Sequence, residues 1–188
     1  MANTKLLLHI CCAPCATGVI EKLKNDGGID ITGFYYNPNI HPSKEHQARK
    51  NSVNTLSDDE SIQVLYDDIL MFDYWKESLK GEKEYRCDFC YTLRIEQLAK
   101  TAKEKGFDAF TTTLLVSPWQ NQEKIRSIGQ EMEKKYNVDF LYQDFRPFYR
   151  EGKNKAYHRG YYMQKYCGCI FSYEESDHKK KPVYTFSD

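Results

Sequence analysis

The sequence predicts an α/β protein with a doubly wound, mainly parallel sheet. Short apolar segments typical of buried strands alternate with longer segments in which apolar residues recur at helical spacing. That alternation favours parallel strands joined by helices that cover both faces of the sheet. No linker, repeat or low-complexity stretch divides the chain, so we predict a single domain over residues 1–188.

The boundaries of the predicted elements follow from apolar periodicity and from the residues that interrupt it. Pro14 is predicted to open the first helix and Gly106 to end the fourth, because proline suits helix starts and glycine suits helix ends. The tail, residues 176–188, is predicted to be a surface extension. The predicted strands cover residues 5–11, 30–37, 61–66, 108–114 and 139–142. The predicted helices cover residues 14–26, 45–59, 70–79, 87–105, 122–136 and 154–166.

The overall composition excludes several classes of protein. Apolar residues make up 40% of the chain and charged residues 29%, which is typical of a globular protein and not of a disordered one. No run of about 18 apolar residues is present, so we expect no membrane span and no membrane partner. The N-terminus lacks the long apolar core and cleavage site of a signal peptide, so we expect a cytoplasmic location.

One segment, residues 145–169, is locally basic although the whole chain has 27 basic and 27 acidic side chains. It contains six lysines and arginines against a single acid, Glu151, and tyrosines and phenylalanines are interleaved with them. Cations suit phosphates and flat rings suit unstacked bases, so this pattern is typical of contact with looped RNA. We predict Arg146, Arg150 and Arg159 as RNA contacts. A solvated helix face with some aromatic rings turned to the core explains the same pattern.

All seven cysteines fall into three groups. The groups are C-C-x-x-C, C-x-x-C and C-x-C, which contain Cys11, Cys12, Cys15, Cys87, Cys90, Cys167 and Cys169. Grouped cysteines in a reducing compartment favour metal or redox chemistry over disulfides. One zinc ion or one [4Fe–4S] cluster takes four thiolates, so seven exceed the needs of a single centre. If Cys11 and Cys12 keep extended backbone, they point to opposite faces and serve different centres.

Two other interpretations of the cysteines stay open on spacing alone. Cys87 and Cys90 have the spacing of a thioredoxin-like redox pair, which predicts a thiol–disulfide oxidoreductase. The same spacing is common among structural zinc ligands, which predicts a zinc-stapled RNA-binding module without catalysis. The phosphate-binding patterns G-x-x-x-x-G-K-[ST], G-x-G-x-x-G and S-G-G-x-D-S are absent from the sequence.

Five segments taken together resemble one enzyme family, the cobalamin-independent epoxyqueuosine reductases of the QueH type. In chain order they are LLLHICCAPCATG, NPNIHPSKEHQAR, RCDFCYTLRIEQLAKTAKEKGFDAFTTTLLVSPWQN, DFRPFYREG and YCGCIFS. The resemblance runs through nearly the whole chain. It implies a fold similar to the HUP or PP-loop (Rossmann-like) class, with a metal-binding helical C-terminal part.

The resemblance also implies an activity and its cofactors. Enzymes of this family reduce epoxyqueuosine at the wobble position of tRNA to queuosine, the last step of queuosine biosynthesis. They hold a [4Fe–4S] cluster near a second metal ion, which we expect to be iron or zinc. The family's cysteine motifs fall on Cys11, Cys12, Cys87, Cys90, Cys167 and Cys169, and we expect Cys15 to join them as a metal ligand.

Epoxide removal consumes two electrons and two protons, and no standard side chain supplies the electrons. We therefore expect a low-potential electron donor, such as ferredoxin or flavodoxin, beside the tRNA substrate. His9, Tyr91 and His158 lie in or next to the motifs and are our candidate proton donors. Trp119 follows a predicted strand and is our candidate for stacking on a base. Each of these four residues has a purely structural alternative in the core or in hydrogen bonding.

Overall fold

A computed structural model of the chain describes residues 2–79 and 82–176. It has a five-stranded, all-parallel sheet with strand order β3-β2-β1-β4-β5, flanked by helices. The predicted α/β class with a doubly wound parallel sheet is confirmed. The strands are β1 (Thr4–His9), β2 (Ile29–Tyr36), β3 (Val64–Asp67), β4 (Ala109–Thr112) and β5 (Asp139–Phe140). The helices are α1 (Ala13–Asp26), α2 (Ser43–Glu60), α3 (Phe72–Leu79), α4 (Arg86–Lys105), α5 (Gln122–Tyr136), α6 (Tyr149–His158) and α7 (Ile170–Glu175).

Strand β1 forms the centre of the sheet and of the core. It pairs with β2 on one side and β4 on the other, and Leu6, Leu7 and Leu8 are fully buried. A central parallel strand is covered on both faces, which explains a continuous apolar run instead of alternation. Helix α1 lies beside α2, and α4 lies beside α5. Right-handed crossovers give this arrangement when the chain moves first towards one sheet edge and then towards the other.

Helices α1 and α6 approach each other closely through two glycines. A Cβ atom added to Gly152 would lie 2.7 Å from the backbone nitrogen of Gly18. A Cβ atom on Gly18 would lie equally close to the carbonyl oxygen of Phe148. Because neither helix has a side chain here, the backbones touch, and α6 is held against the helix that follows β1.

The last part of the chain differs from its prediction. The helix expected over residues 154–166 begins earlier, at Tyr149, and ends at His158, because Gly160 adopts a left-handed backbone conformation with φ 74°. Residues 161–169 are irregular, and α7 follows them as a helix that the sequence analysis did not predict. Strand β5 has only two residues. Of the predicted surface tail, residues 177–188 lie outside the described residues.

The carboxyl ends of β1 and β4 lie side by side where the chain reverses its direction across the sheet. Ligand sites of open parallel sheets form at such switch points. The cysteines that follow β1 and the turn Thr113–Val116 that follows β4 both lie here. No helix in the described part of the chain is long and apolar enough to cross a bilayer.

Candidate metal centre

Three of the cysteines form a compact group, the thiol triad of Cys11, Cys12 and Cys15. Their sulfur atoms all lie within 4.8 Å of one another, and the sulfurs of Cys11 and Cys12 are 3.7 Å apart. The expectation that Cys11 and Cys12 face opposite ways is wrong. Strand β1 already ends at His9 and the chain bends at Cys11, so although Cys12 itself is extended, the alternation of the strand does not continue through the two residues.

The triad ionises unevenly. Hydrogen bonds from the thiols of Cys12 and Cys15 hold the pKa of Cys11 well below its usual value, and the nearby guanidinium of Arg94 lowers it further. The same hydrogen bonds raise the pKa of Cys15, and burial raises the pKa of Cys12. The pKa of Cys11 therefore lies below those of the other two thiols of the triad. Full ionisation of all three thiols needs a bound cation.

We refer to the other four cysteines, Cys87, Cys90, Cys167 and Cys169, as the thiol quartet. Cys87 and Cys90 lie in the first turn of α4, and Cys167 and Cys169 lie just before α7. The charges of Cys87 and Cys90 each interact with those of Cys167 and Cys169. Burial raises the pKa of Cys90 to about 12 and also raises the pKa values of Cys87 and Cys167. Without a bound cation these three thiols stay neutral at pH 7.

Arg94 lies between the two thiol groups and is only 3% exposed. Its guanidinium donates to the sulfur of Cys90 at 3.5 Å, to Nε2 of His9 at 3.3 Å and to Oδ1 of Asn37 at 2.5 Å. Its charge acts on Cys11 of the triad as well as on Cys90. Within residues 2–79 and 82–176, it forms no ion pair with a carboxylate. A buried cation of this kind requires an anion among the sulfurs that surround it.

A cavity of about 370 Å³ opens beside the two thiol groups. Its wall contains four cationic side chains and no Asp or Glu, although the chain as a whole has no net charge. The site therefore favours an anionic ligand. The lining residues are Cys11, Pro14, Cys15, Arg49, Arg94, Thr113, Leu114, Ser117, Trp119, Gln120, Tyr149, Lys153, Gln164, Lys165, Tyr166 and Cys167.

Hydrogen bonds from two residues of α2, which form a buried ion pair with each other, hold the irregular segment 161–169 against that helix. Arg49 pairs with Glu45 at 2.8 Å, and both side chains are at least 97% buried. The other two nitrogens of the Arg49 guanidinium donate to the carbonyl oxygens of Tyr166 and Cys167, each at 2.9 Å. The hydroxyl of Tyr162 donates to the free oxygen of Glu45 at 2.6 Å. These bonds hold one wall of the cavity and two members of the quartet in place.

Gln164 connects the same segment to the triad. Its side-chain amide donates to the sulfur of Cys12 at 3.0 Å and lies 3.8 Å from that of Cys15. On the opposite side of the cavity, the amide of Gln120 lies 3.6 Å from the sulfur of Cys167. Both thiol groups are thus oriented by amide N–H groups from the cavity wall.

Comparison with known proteins identifies the family of this chain. The family model described as Epoxyqueuosine reductase QueH matches residues 6–175. A protein named epoxyqueuosine reductase QueH from Thermotoga maritima is 35% identical over 187 residues, covering 95% of each chain. One of the same name from Acinetobacter baylyi is 37% identical, covering 92% of this chain and 82% of that protein.

The chain belongs to the epoxyqueuosine reductase QueH family. It is therefore an oxidoreductase. Solved structures with a similar fold include the U34-tRNA thiolase NcsA from Methanococcus maripaludis with its [4Fe–4S] cluster. That chain has a TM-score of 0.57 and 14% identity, covering 92% of this chain and 62% of its own. A deacetylase of teicoplanin biosynthesis has a TM-score of 0.51 and 12% identity over 83% of each chain. These structures support the fold class of the QueH-family protein.

Of the predicted proton donors, two lie near the cavity of this QueH-family protein without lining it. His9 is buried beneath Arg94, with Nδ1 2.9 Å from the hydroxyl of Thr112 and Nε2 3.2 Å from the carbonyl oxygen of Tyr36. Burial and the charge of Arg94 lower the pKa of His9 to about 3, so its ring is neutral. Tyr91 donates to Oε1 of Gln120 at 2.8 Å, and burial raises its pKa.

The third predicted donor and the predicted RNA contacts are more dispersed. His158 is exposed at the end of α6, where its ring contacts Tyr157. Arg146 pairs with Asp144, Arg159 pairs with Glu60, and Arg150 is exposed on α6. None of these four lines the cavity.

Trp119 does line the cavity, and it is 74% exposed. Its ring lies 5.3 Å from that of Tyr149 in an edge-to-face arrangement, at a place where the two rings can receive a flat ligand. Sequence reasoning did not select Arg49, Lys153, Lys165 or Gln164 as site residues. The first lies in the motif NPNIHPSKEHQAR and the other three in the basic segment, but neither pattern says which side chains face inwards.

The buried pair of Arg49 and Glu45 predicts a large effect on stability. Replacing Arg49 with Met leaves the Glu45 carboxylate buried without its cation and frees the carbonyl oxygens of Tyr166 and Cys167. We expect a loss of about 3–5 kcal/mol in the free energy of unfolding, measured by urea denaturation monitored by circular dichroism. Arg146→Met is the matched control, because Arg146 is exposed beside Asp144, and its unfolding midpoint should stay close to that of the wild type. Equal midpoints for both variants would contradict the prediction.

Proposed function

We propose that the protein reduces epoxyqueuosine to queuosine at the wobble position of tRNA. In this proposal a [4Fe–4S] cluster binds to the thiol quartet, and a single iron or zinc ion binds to the thiol triad. One observation carries the assignment: the sulfurs of Cys11, Cys12 and Cys15 form a compact group beside a cationic cavity, and the thiols of the quartet interact with one another electrostatically. The names of the relatives indicate the reaction, and the thiol groups provide ligands for a metal centre that can transfer the electrons.

The chemistry of the quartet fits a cluster. Four thiolates are the number that a [4Fe–4S] cluster requires. Cys87 and Cys90 lie near the start of α4, where the helix dipole favours negative charge. Arg94 adds a buried positive charge beside Cys90 that lacks a carboxylate partner among the described residues. A cluster with its thiolates is net negative and compensates that charge.

The chemistry of the triad fits a single metal ion. Three sulfurs within 4.8 Å can surround one ion, and three protein ligands leave a position for substrate, as in catalytic metal sites. Cys11 and Cys15 line the cavity, so that position faces the place where a ligand enters. When bound, the cluster supplies electrons one at a time and the metal ion polarises the epoxide oxygen.

The side chains of the cavity provide binding and protons in this proposal. A volume of about 370 Å³ lies within the range of small-molecule sites and accommodates one nucleoside. Trp119 and Tyr149 stack on the base, while Lys153 and Lys165 pair with phosphate and carry protons that can be donated. Tyr91 stays protonated and orients the amide of Gln120 towards the ligand.

The remaining expectations concern partners. The tRNA anticodon loop is the substrate in this proposal, and the exposed arginines Arg146, Arg150 and Arg159 contact it outside the cavity. A low-potential donor such as ferredoxin or flavodoxin supplies the electrons. Cys87 and Cys167 are the exposed members of the quartet and offer the donor its approach to the cluster.

Anaerobic purification followed by metal and sulfide analysis tests the proposal. We expect a brown protein with about four cluster irons and four sulfides per chain. With a chemical reductant it should convert epoxyqueuosine to queuosine in tRNA, measured by mass spectrometry of the digested tRNA. A protein that holds zinc alone, without sulfide or turnover, would contradict the proposal and favour the zinc-stapled RNA-binding module. Catalysis by a reversible Cys87–Cys90 disulfide would favour the thiol–disulfide oxidoreductase.

Single cysteine variants separate the two thiol groups. We expect Cys90→Ala to lose the cluster sulfide and visible absorbance, because three thiolates remain in the quartet. We expect Cys15→Ala to keep sulfide and absorbance but to lose the additional metal ion, because the triad is reduced to two ligands. Metal and sulfide analysis of both proteins measures the outcome, and each variant is the control of the other. Loss of sulfide from Cys15→Ala alone would reverse the assignment.

Trp119 provides a test of RNA binding. Stacking on one base contributes about 1–3 kcal/mol, so Trp119→Ala should weaken binding of an anticodon stem-loop by about fivefold or more in a fluorescence titration. Tyr157→Ala is the matched control: Tyr157 is 69% exposed but does not line the cavity, and we expect wild-type affinity. Unchanged affinity in a folded Trp119→Ala protein would exclude stacking by Trp119.

A further inference from the structure

We infer that Arg94, held in place by His9, tunes the reduction potential of the centre bound at the thiol quartet. This inference rests on the proposed function, because it requires a redox-active centre at that site. It assigns to His9 a positioning role beneath Arg94 instead of a role in proton donation.

The position of Arg94 is determined by three contacts on three different elements. Its nitrogens reach His9 at the end of β1, Asn37 just after β2 and Cys90 within its own helix, α4. Asn37 is itself held, because its amide donates to the carbonyl oxygen of Ile10 at 2.9 Å. A guanidinium has only donors, so each of these partners must accept. The three acceptors leave the head group a single orientation, with one N–H aimed at the sulfur of Cys90.

His9 lies within hydrogen-bond distance of Arg94. Its Nδ1 is 2.9 Å from Oγ1 of Thr112 on the neighbouring strand β4, and its Nε2 is 3.3 Å from Nε of Arg94 and 3.2 Å from the carbonyl oxygen of Tyr36. The hydrogen bond from Arg94 requires the tautomer with the ring proton on Nδ1, where Thr112 accepts it; in that tautomer the carbonyl oxygen of Tyr36 is not a hydrogen-bond partner of the ring. His9 is 1% exposed and does not line the cavity. His9 therefore does not contact a ligand in the cavity, but it contacts Arg94, which lines the cavity and donates to the sulfur of Cys90.

Among the arginines beside the quartet, Arg94 is the one without a carboxylate partner in the described part of the chain. Two other arginines lie close by, but Arg49 is paired with Glu45, and Arg86 is paired through two 2.7 Å bonds with Glu175. For Arg94 the described part of the chain offers no carboxylate within 4.0 Å. Burial lowers the local dielectric response, so this unpaired charge acts strongly on its neighbours.

A positive charge and an N–H···S hydrogen bond both stabilise the reduced form of a cluster, because reduction adds one negative charge. Hydrogen bonds to sulfur and net charge are established determinants of cluster potentials. Arg94 supplies both to Cys90, and it raises the potential of the quartet centre. An external donor can then deliver its electron more readily.

Redox titration of the anaerobically purified proteins, monitored by electron paramagnetic resonance, tests the inference. Arg94→Gln removes the charge, and its midpoint potential should shift to more negative values. Arg94→Lys keeps the charge, but an ammonium cannot reach His9, Asn37 and Cys90 together. Its potential should shift in the same direction by a smaller amount. Arg126→Gln is the control, because Arg126 is an exposed arginine of α5 that packs on the ring of Tyr142 and does not line the cavity. Its potential should stay close to that of the wild type.

The variants also separate failure of this inference from failure of the proposed function. A wild-type protein without a cluster would contradict the proposed function itself. A loaded wild type with an unchanged potential in Arg94→Lys or Arg94→Gln would overturn the inference alone. If the Arg94→Gln protein does not bind a cluster, the midpoint potential of Arg94→Lys tests the inference instead. His9→Leu should show a shift of the same sign, because Arg94 loses its acceptor; a wild-type potential in that variant would remove His9 from the assignment.

Discussion

The candidate site depends on the hydrogen bonds from Arg49 to the carbonyl oxygens of Tyr166 and Cys167. The partners in the second bond are separated by 118 positions in sequence, and the bond joins α2 to an irregular segment with no strand or helix of its own. An irregular backbone exposes carbonyl groups that need donors. Arg49 supplies two from a buried position that Glu45 stabilises. The segment can therefore carry Gln164, Cys167 and Cys169 at defined places without regular secondary structure.

Electrostatics organise the site at short range. The chain has no net charge, yet every charged side chain in the wall of the cavity is a lysine or an arginine. The positive charge of Arg94 and the low pKa of Cys11 belong together, since a buried cation lowers the cost of a thiolate nearby. Burial raises the pKa values of Cys12 and Cys90 and so favours their neutral form. Under the proposed function, a bound cation at each thiol group stabilises the thiolates without acidic side chains.

Much of the fold could be predicted from the sequence because its causes are local. The apolar run of β1, Gly106 after α4 and the grouped cysteines are visible in short windows, and the parallel sheet follows from the order of elements. The orientation of Cys11 and Cys12 could not be predicted, because it depends on where β1 stops. The contacts of Arg49 and Arg94 were also inaccessible, since their partners lie far away in the sequence. The helix predicted through residue 166 ends at His158, because Gly160 and tertiary hydrogen bonds hold the following residues in an irregular backbone.

The irregular segment 161–169 has a thermodynamic consequence for assembly. It contacts the triad through Gln164 and contributes Cys167 and Cys169 to the quartet, so one stretch of chain belongs to both thiol groups. Ordering such a stretch costs conformational entropy once. An ion bound at either group makes that ordering more favourable, and the second binding event then meets a smaller entropic cost. Under the proposed function, occupancy at the two groups is therefore linked, and by reciprocity each strengthens the other by the same factor.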